Sequence, residues 1–244
     1  MERKPIRKVA LFGKNTEEIK NLIIKFGFEI CEEVNINNCI KKECENIDAV
    51  ITYGGDGTIV HSEYFFPSIP KIVLKNSTIC KKCNEVDNEE TLKLIKEGKY
   101  NVEVLTKLDA KYNKEVLSGM DTILIHNHNP RHAIRYSLKI DDIHYKETII
   151  GDGFIVSTPF GSTGYYKSIT NSFFDIGIGV AFNNSTEQVN HMVVGEHSSI
   201  AGHILRGPAE VYIDNIEPMF SLKEKDFITI SVSKTKAYIL RPIK

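Results

Sequence analysis

Hydrophobic positions up to Gly98 alternate between the spacing of buried strands and the spacing of amphipathic helices. Short apolar runs are followed by segments in which apolar residues recur at helical intervals, as Ile19, Leu22 and Ile23 do. The predicted strands are Lys8–Phe12, Phe28–Val34, Asp48–Tyr53 and Lys71–Leu74, and the predicted helices lie between Thr16 and Gly27, over Ile59–Phe66 and over Asn88–Glu97. This alternation predicts an α/β domain with a parallel sheet in residues 1–98.

Beyond Gly98 the pattern changes to short runs of β-branched and aromatic residues separated by turn residues. The predicted strands are Val102–Tyr112, Lys114–His126, Ala133–Ile140, Tyr145–Ile150, Ile176–Phe182, Ala209–Asp214, Phe227–Val232 and Ala237–Leu240. Because helical spacing is scarce here, we expect residues 99–244 to form a β-rich, sandwich-like domain.

The charge balance narrows the classes of partner. The 244 residues contain 31 Lys plus Arg against 32 Asp plus Glu, whereas a nucleic-acid-binding protein typically carries a basic surplus. No stretch approaches the length of an apolar membrane span, and the start, Met-Glu-Arg-Lys-Pro, lacks the apolar region of a secretory signal. We therefore expect a soluble, cytoplasmic protein that binds neither nucleic acid nor a membrane.

Five cysteines leave one thiol over in any complete pairing, and without an export signal free thiols are the default. A zinc or iron–sulfur site is conceivable if Cys80-x-x-Cys83 joins Cys39 and Cys44. The two pairs, however, flank predicted strands at opposite ends of a parallel sheet, so we predict no metal site. A redox or structural role for Cys80-x-x-Cys83 stays open.

The segment Gly54-Gly55-Asp56-Gly57-Thr58 stands between a predicted strand and a predicted helix. Glycines let the backbone turn sharply and expose N–H groups, and the helix N-terminus favours an anion such as phosphate. In that setting Asp56 could hold Mg²⁺ or accept a proton from a hydroxyl that is being phosphorylated. The alternative is a tight turn in which Asp56 merely caps the helix. The segment matches neither the Rossmann nor the Walker glycine pattern.

A second segment, Gly151–Tyr165, runs from an apolar strand into a loop rich in hydroxyl groups and glycine. Its Ser157, Thr158, Ser162 and Thr163 offer hydrogen bonds suited to a nucleotide. Tyr165 and the adjacent Tyr166 could stack on a base. Hydroxyl-rich turns are also common without any ligand, so the segment alone leaves both interpretations open.

Together these two segments resemble the NAD kinase family, whose members phosphorylate the adenosine 2′-hydroxyl of NAD with ATP or polyphosphate. Gly54–Thr58 matches the family's Gly-Gly-Asp-Gly-Thr, and Gly151–Tyr165 resembles its Asp-Gly-x-x-x-Ser-Thr-Pro-x-Gly-Ser-Thr-Ala-Tyr. Lipid kinases share the first motif, whereas the second is more particular to NAD kinases. The resemblance spans roughly residues 8–240 and implies the NAD kinase fold.

The resemblance also implies roles for individual residues. Asp56 would be the general base, and Asp152 would contact the nicotinamide-side ribose or amide. The phosphate- or nucleotide-binding positions would be Gly54, Gly55, Gly57, Thr58, Asn76, Asp121, Thr122, Asp152, Ser162, Thr163 and Tyr165. It further implies NAD(H) with ATP or polyphosphate as substrates, Mg²⁺ entering with ATP, no tightly bound organic cofactor, and a homodimer or homotetramer.

Several positions depart from the family's pattern. Its Asn-acid pair falls at Asp121-Thr122 or at Met120-Asp121, where the amide is missing, and its glycine-rich turn is replaced by Lys75–Cys80, which keeps Asn76. Because these changes cluster on the acceptor side, two alternatives stay open: a related kinase with another acceptor, or a non-catalytic dinucleotide-binding regulator. A further segment, His126–His132, is rich in histidine and is interpreted as a polar hairpin turn.

Overall fold

The computed structural model describes residues 5–35, 46–187, 189–214, 216 and 220–243. Its strands are β1 Lys8–Gly13, β2 Glu29–Asn35, β3 Ala49–Gly54, β4 Lys71–Lys75, β5 Tyr100–Tyr112, β6 Glu115–Gly119, β7 Thr122–Asn127, β8 Ile134–Ile140, β9 Ile143–Gly151, β10 Gly153–Ser157, β11 Ile178–Asn183, β12 Met192–Val194, β13 Ile200–Arg206, β14 Ala209–Ile213, β15 Phe220–Leu222 and β16 Phe227–Pro242. Its helices are α1 Glu17–Lys25, α2 Asp56–Phe65, α3 Asn88–Lys96 and α4 Tyr165–Thr170, with a 3₁₀ turn at Gly161–Thr163.

The chain divides into two compact units, one comprising Met1–Leu105 with Ala237–Lys244 and the other Thr106–Lys236. The division reflects how the chain packs and carries no information about which unit binds which ligand. The division of ligand-binding domains between residues 98 and 99 therefore stays a prediction.

The first unit is built around a parallel sheet. Its strands run in the order β2-β1-β3-β4, and the last part of β16 pairs in parallel with β4, with Ile239 opposite Lys71. The apolar runs of the central strands are buried, as a parallel sheet covered by helices requires, and only strand ends such as Lys8 and Lys75 are exposed. The carboxyl ends of β3 and β4 lie side by side, so the segments after Gly54 and after Lys75 start close together.

The second unit is a sandwich of antiparallel sheets. One sheet has the order β12-β11-β10-β7-β14-β15, and the other contains the first part of β16 followed by β13, β8 and β9. Buried side chains from both sheets form one hydrophobic cluster that includes Tyr136, Phe154 and Ile200. A parallel α/β sheet followed by a β-rich sandwich confirms the predicted fold class.

Two predicted strand boundaries are wrong. The predicted strand Lys114–His126 is broken into β6 and β7, because the N–H groups of Met120, Asp121 and Thr122 bond to the Asp214 carboxylate. Phe227–Val232 and Ala237–Leu240, predicted as separate strands, form the single strand β16, because its polar middle stays extended. The elements β12, β13, β15 and α4 were not predicted.

In the part of the chain that the structure describes, no helix has the length and apolar character that a membrane crossing requires. Asp141 and Asp142 form the hairpin turn between β8 and β9, and both residues adopt the left-handed conformation that Asp tolerates in such turns.

Candidate functional site

The Gly54–Thr58 turn links β3 to α2 in the first unit. Gly54 ends the strand, Gly55 is the N-cap residue, and Asp56 is the first residue of the helix. A Cβ atom on Gly54 would lie 2.1 Å from Oγ1 of Thr58, so the turn closes only because glycine stands there. The N–H of Thr58 donates to the Gly55 carbonyl (3.0 Å). Gly57, in the first helical turn, is exposed.

Asp56 does not cap the helix through its side chain, since no side-chain capping bond forms at this N-terminus. Its carboxylate instead accepts hydrogen bonds from the backbone N–H groups of Lys81 (3.1 Å to Oδ2) and Lys82 (2.8 Å to Oδ1). Sγ of Cys80 lies 2.9 Å from Oδ1. The carboxylate of Asp56 therefore bonds to a loop distant in sequence and does not cap the helix, although these bonds are structural contacts in their own right.

The segment that contacts Asp56 is the loop of residues 76–84, called here the strap. Its first residue, Asn76, is exposed, and its N–H donates to the Gly54 carbonyl (3.1 Å). Cys80 and Cys83 form a disulfide, so the expectation of free thiols is wrong for this pair. Sγ of Cys83 lies 3.7 Å from the Gly54 carbonyl oxygen.

The ligand atoms of Asp56, Cys80 and Cys83 lie within 4.8 Å of one another, and among the residues described this is the only such group. Two of the three donors are sulfur atoms, which Mg²⁺ does not favour, and sulfur in a disulfide is not a thiolate ligand. The donor set therefore does not fit a resident Mg²⁺ ion. Cys39 and Cys44, the other members of the zinc alternative, lie outside the described residues.

A buried ion pair fixes the far end of α2. Glu63 of the helix bonds to Nζ of Lys71 on β4, and both side chains are almost fully buried. Nζ of Lys71 also donates to the Phe66 carbonyl (2.8 Å), and Glu63 accepts from the N–H of Ser68 (2.9 Å). This pair holds the helix that begins at Asp56 against the sheet.

In the second unit, Asp152 lies between β9 and β10 and is half-buried. Its carboxylate accepts from the side-chain amides of Asn127 (3.1 Å) and Asn184 (2.7 Å). Neither amide was identified from the sequence as a partner of Asp152, because both stand among turn residues. The only available signal was an Asn at the end of a strand or just after it, since Asn127 ends β7 and Asn184 directly follows β11.

Most hydroxyl groups of the Gly151–Tyr165 segment hold the segment itself together. The Thr158 hydroxyl donates to the Met120 carbonyl (2.8 Å) and accepts from the Gly161 N–H (3.1 Å). The Ser162 hydroxyl lies within hydrogen-bond distance of the Pro159 and Phe174 carbonyls (2.8 and 3.0 Å). Both residues are buried, so they shape the loop from inside.

Two predicted residues of this segment remain accessible. Thr163 is partly exposed, and within the described part of the chain its hydroxyl has no hydrogen-bond partner. Tyr165 is 40% exposed, and its hydroxyl accepts from Asn183 (2.8 Å). Tyr166, in contrast, is fully buried beside Phe174, so the expectation that it stacks on a base is wrong.

Asp121 and Thr122 lie at the start of β7 against the same segment. The Thr122 hydroxyl donates to Oδ1 of Asp121 (3.0 Å), and a Cβ on Gly161 would lie 2.0 Å from that oxygen. Asp214, which the sequence did not single out, accepts the backbone N–H groups of both residues (2.8 and 3.1 Å). Burial first, and then the charge of Asp121, raise the pKa of Asp214 to about 7.

The histidine-rich segment forms no metal group among the residues that are described. Nδ1 of His128 lies 2.7 Å from Oε1 of Glu210, and the N–H of His132 donates to the Asn129 carbonyl in a turn (2.9 Å). The polar turn is confirmed, but the prediction of a hairpin is wrong, because β7 and β8 belong to different sheets and do not pair.

The structure thus places the predicted residues in two groups. The first unit brings together Gly54, Gly55, Asp56, Gly57, Thr58 and Asn76. The second unit holds Asp121, Thr122, Ser162, Thr163 and Tyr165 on or against one loop, with Asp152 one strand away.

Comparisons with known proteins identify the family and the fold. The sequence profile of the ATP-NAD kinase C-terminal domain matches residues 120–242. An NAD kinase of Saccharolobus solfataricus is 32% identical over 238 residues, which cover 93% of this chain and 88% of that protein. An NAD kinase of Methanothermobacter thermautotrophicus is 27% identical over 172 residues, 65% of this chain and 60% of that protein.

Two solved structures share the fold. Yeast NADH kinase complexed with NADH superposes with a TM-score of 0.84 at 18% identity, covering 100% of this chain and 86% of that one. An NAD kinase from Archaeoglobus fulgidus in complex with ATP gives a TM-score of 0.77 at 20% identity, covering 96% and 94%. With the profile match and the Saccharolobus relative, these similarities establish that the chain belongs to the NAD kinase family.

Proposed function

We propose that this protein transfers the γ-phosphoryl group of ATP to the adenosine 2′-hydroxyl of NAD, with Asp56 as the general base. The carboxylate takes the proton of the hydroxyl, the oxygen attacks the γ-phosphorus, and the bond to the β-phosphate oxygen breaks to release ADP. The observation that carries this assignment is the Gly54–Thr58 turn, where a half-exposed carboxylate stands at a helix N-terminus among glycines.

The turn supports a role at the phosphates. Glycine at positions 54, 55 and 57 lets a bulky anion approach the backbone, and the N-terminus of α2 favours negative charge. Thr58 fills the space beside Gly54 and so shapes the turn, while the exposed Asn76 begins the strap next to it. We assign these residues to the phosphate side of the reaction.

The accessible groups of the second unit support contacts with the dinucleotide. Asp152, fixed by two amides, can accept from ribose hydroxyls or from the nicotinamide amide. Thr163 supplies a hydroxyl, and Tyr165 an exposed ring. Asp121 offers a carboxylate oxygen where the family's pattern has an amide, and Thr122 and Ser162 hold the loop in place.

Mg²⁺ enters as part of the Mg–ATP substrate, since the sulfur-containing group around Asp56 does not suit it as a resident ion. When bound, the ion spreads the negative charge of the triphosphate. The side chains of this protein act by positioning the hydroxyl and accepting its proton.

The test is to incubate the purified, reduced protein with Mg–ATP and NAD and to detect NADP with an NADP-specific dehydrogenase. We expect NADP and ADP in equal amounts, and parallel arms with polyphosphate and with NADH define the donor and the acceptor. Phosphate transfer to another acceptor without NADP would overturn the NAD assignment. Dinucleotide binding without any turnover would instead indicate a regulator.

A further inference from the structure

The strap covers the turn that carries the proposed general base. Both carboxylate oxygens of Asp56 accept N–H groups from Lys81 and Lys82. Side-chain atoms of Ser77 would lie 3.3 and 3.4 Å from a Cβ on Gly55, so the same loop also lies against the glycines. The strap therefore contacts the carboxylate and the first two glycines of the turn, while Gly57 stays exposed.

The two amides that hold Asp56 lie inside the ring that the Cys80–Cys83 disulfide closes. Lys81 and Lys82 are the only residues between the two cysteines, whose sequence separation is 3. Closing so short a ring removes little entropy from the unfolded chain, so the bond contributes little to overall stability. Its main physical effect is to restrict the backbone that carries the two donors.

The ends of the strap are attached independently of the disulfide. The N–H of Asn76 bonds to Gly54, and at the other end Arg241 donates to the carbonyl of Lys82 (2.7 Å) and to Oδ1 of Asn84 (3.3 Å). Nε of Arg241 is held by Glu103 (2.6 Å). Arg241 holds the Lys82 carbonyl in both redox states, so breaking the disulfide frees the strap mainly around Cys80 and Lys81 without detaching it.

The surroundings of the disulfide suit exchange with a small thiol. Cys80 and Cys83 are half-buried, and Lys81 is exposed. An open cavity of about 470 Å³ beside Cys83 is lined by residues 81–86 and by residues 241–243, and neither Asp56 nor the glycine turn contributes to its wall. Two lysines next to the sulfurs attract an anionic thiolate.

We propose that Cys80 and Cys83 form a redox switch on this active site: the disulfide locks the strap over Asp56 and lowers kinase activity, and reduction releases it. In the release, a dithiol reductant donates two electrons and two protons. The sulfur–sulfur bond breaks to give two thiols, while the reductant becomes a disulfide. The inference rests on the proposed role of Asp56 in NAD phosphorylation.

The test compares oxidised and dithiothreitol-reduced protein, with peptide mass analysis after alkylation to report the state of Cys80 and Cys83. We expect reduction to raise NADP formation by about tenfold or more, since access to a general base is restored. The activity of Cys80→Ala/Cys83→Ala should be at least that of the reduced protein and should not change with oxidant. Alanine removes the disulfide and also any bond from position 80 to Asp56, whereas a serine hydroxyl or the reduced Cys80 thiol, 2.9 Å from Oδ1, can donate to that carboxylate.

The matched control is Cys31→Ser, because the Cys31 thiol lies on β2, where it donates to the Val9 carbonyl (3.5 Å). This variant should respond to oxidation as the wild-type protein does. Equal activity of the two redox forms, higher activity of the oxidised form, or failure of the Cys80–Cys83 bond to form under excess oxidant would overturn the switch.

Hydrogen exchange at the amides of Lys81 and Lys82 separates this inference from the proposed function. The strap geometry predicts slow exchange in the oxidised protein and faster exchange after reduction, whether or not NADP is formed. If neither form makes NADP but exchange changes as expected, the proposed function fails and the redox-controlled contact stands. If exchange is the same in both forms, the lock is refuted even in an active kinase.

Discussion

The Gly54–Thr58 turn of the first unit and the Gly151–Tyr165 segment of the second unit use small and polar residues in opposite ways. In the first, glycine clears space, and the carboxylate of Asp56 bonds to a loop distant in sequence. In the second, the buried hydroxyls of Thr158 and Ser162 bond to the backbone of their own turn and its neighbours.

Suitable residue chemistry alone therefore does not identify a ligand contact. A hydroxyl group that satisfies buried backbone groups is unavailable to a nucleotide, however suitable its chemistry. The Asp56 carboxylate also accepts internal hydrogen bonds, from the N–H groups of Lys81 and Lys82, but unlike the buried hydroxyls it stays half-exposed at a glycine turn. The two regions also have different anchors: a buried ion pair holds α2, whereas backbone bonds to Asp214 hold the start of β7.

The largest expected effect is on the anchor of the first region. Lys71→Met leaves Glu63 buried beside an apolar side chain, and we expect the free energy of unfolding to fall by about 3–5 kcal/mol. Denaturant titration measures the change. Lys75→Met, at the exposed end of the same strand, is the matched control. A loss no greater than that of the control would mean that the ion pair does not hold the helix.

The anchor of the second region should depend on pH. The pKa of Asp214 is raised to about 7, so the folded state favours its protonated form, and stability is lost as pH rises from about 4 through 7. Relative to Asp214→Asn, wild-type protein should lose about 2–4 kcal/mol over that range. Unfolding curves at each pH give the difference. A difference that does not change with pH would contradict this account of Asp214.

A pair of alanine substitutions compares the two glycine positions directly. At Gly161 the new Cβ would meet the Asp121 backbone oxygen at 2.3 Å, whereas at Gly54 it meets the Thr58 side chain. A backbone atom yields less easily, so Gly161→Ala should cost about 1–3 kcal/mol of stability or more, and Gly54→Ala less. Thermal unfolding of both variants checks the order, and the reverse order would contradict the steric argument.

The smallest effects separate a ligand contact from a loop contact. Thr163→Val should raise the KM for NAD by about three- to tenfold, the value of one hydrogen bond, with an unchanged melting temperature. Ser162→Ala should instead lower the melting temperature and leave the KM for NAD unchanged, because the buried Ser162 hydroxyl bonds within the loop. Steady-state kinetics and melting curves of both variants measure these effects. A raised KM for Ser162→Ala with a lowered melting temperature for Thr163→Val would refute the assignment of Thr163 to the ligand and of Ser162 to the loop.

Periodicity predicted the fold class and the strands and helices of the first unit, because buried parallel strands are continuous apolar runs. It did not predict the break between β6 and β7, since the residue that causes it, Asp214, lies far away in sequence. It also missed short strands such as β12, whose few residues carry no distinct pattern.

The glycine turn and the hydroxyl-rich segment were found from sequence because their residue types cluster locally. The hydrogen-bond partners of their carboxylates were not found from sequence, because only the fold brings them together. Asn127 and Asn184 bond to Asp152, and the strap bonds to Asp56. The Cys80–Cys83 disulfide illustrates the same limit, because the sequence left a redox and a structural role open and favoured free thiols.

The most direct test of the central claim is the turnover of Asp56→Asn, measured as NADP formation in the reduced protein. We predict a fall of about 10²–10⁴-fold, the contribution of a well-placed general base, with unchanged folding and an unchanged KM for NAD. Asp142→Asn, in the exposed hairpin turn between β8 and β9, is the control and should keep full activity. Near-normal turnover of a folded Asp56→Asn protein would contradict the role of Asp56 as the base.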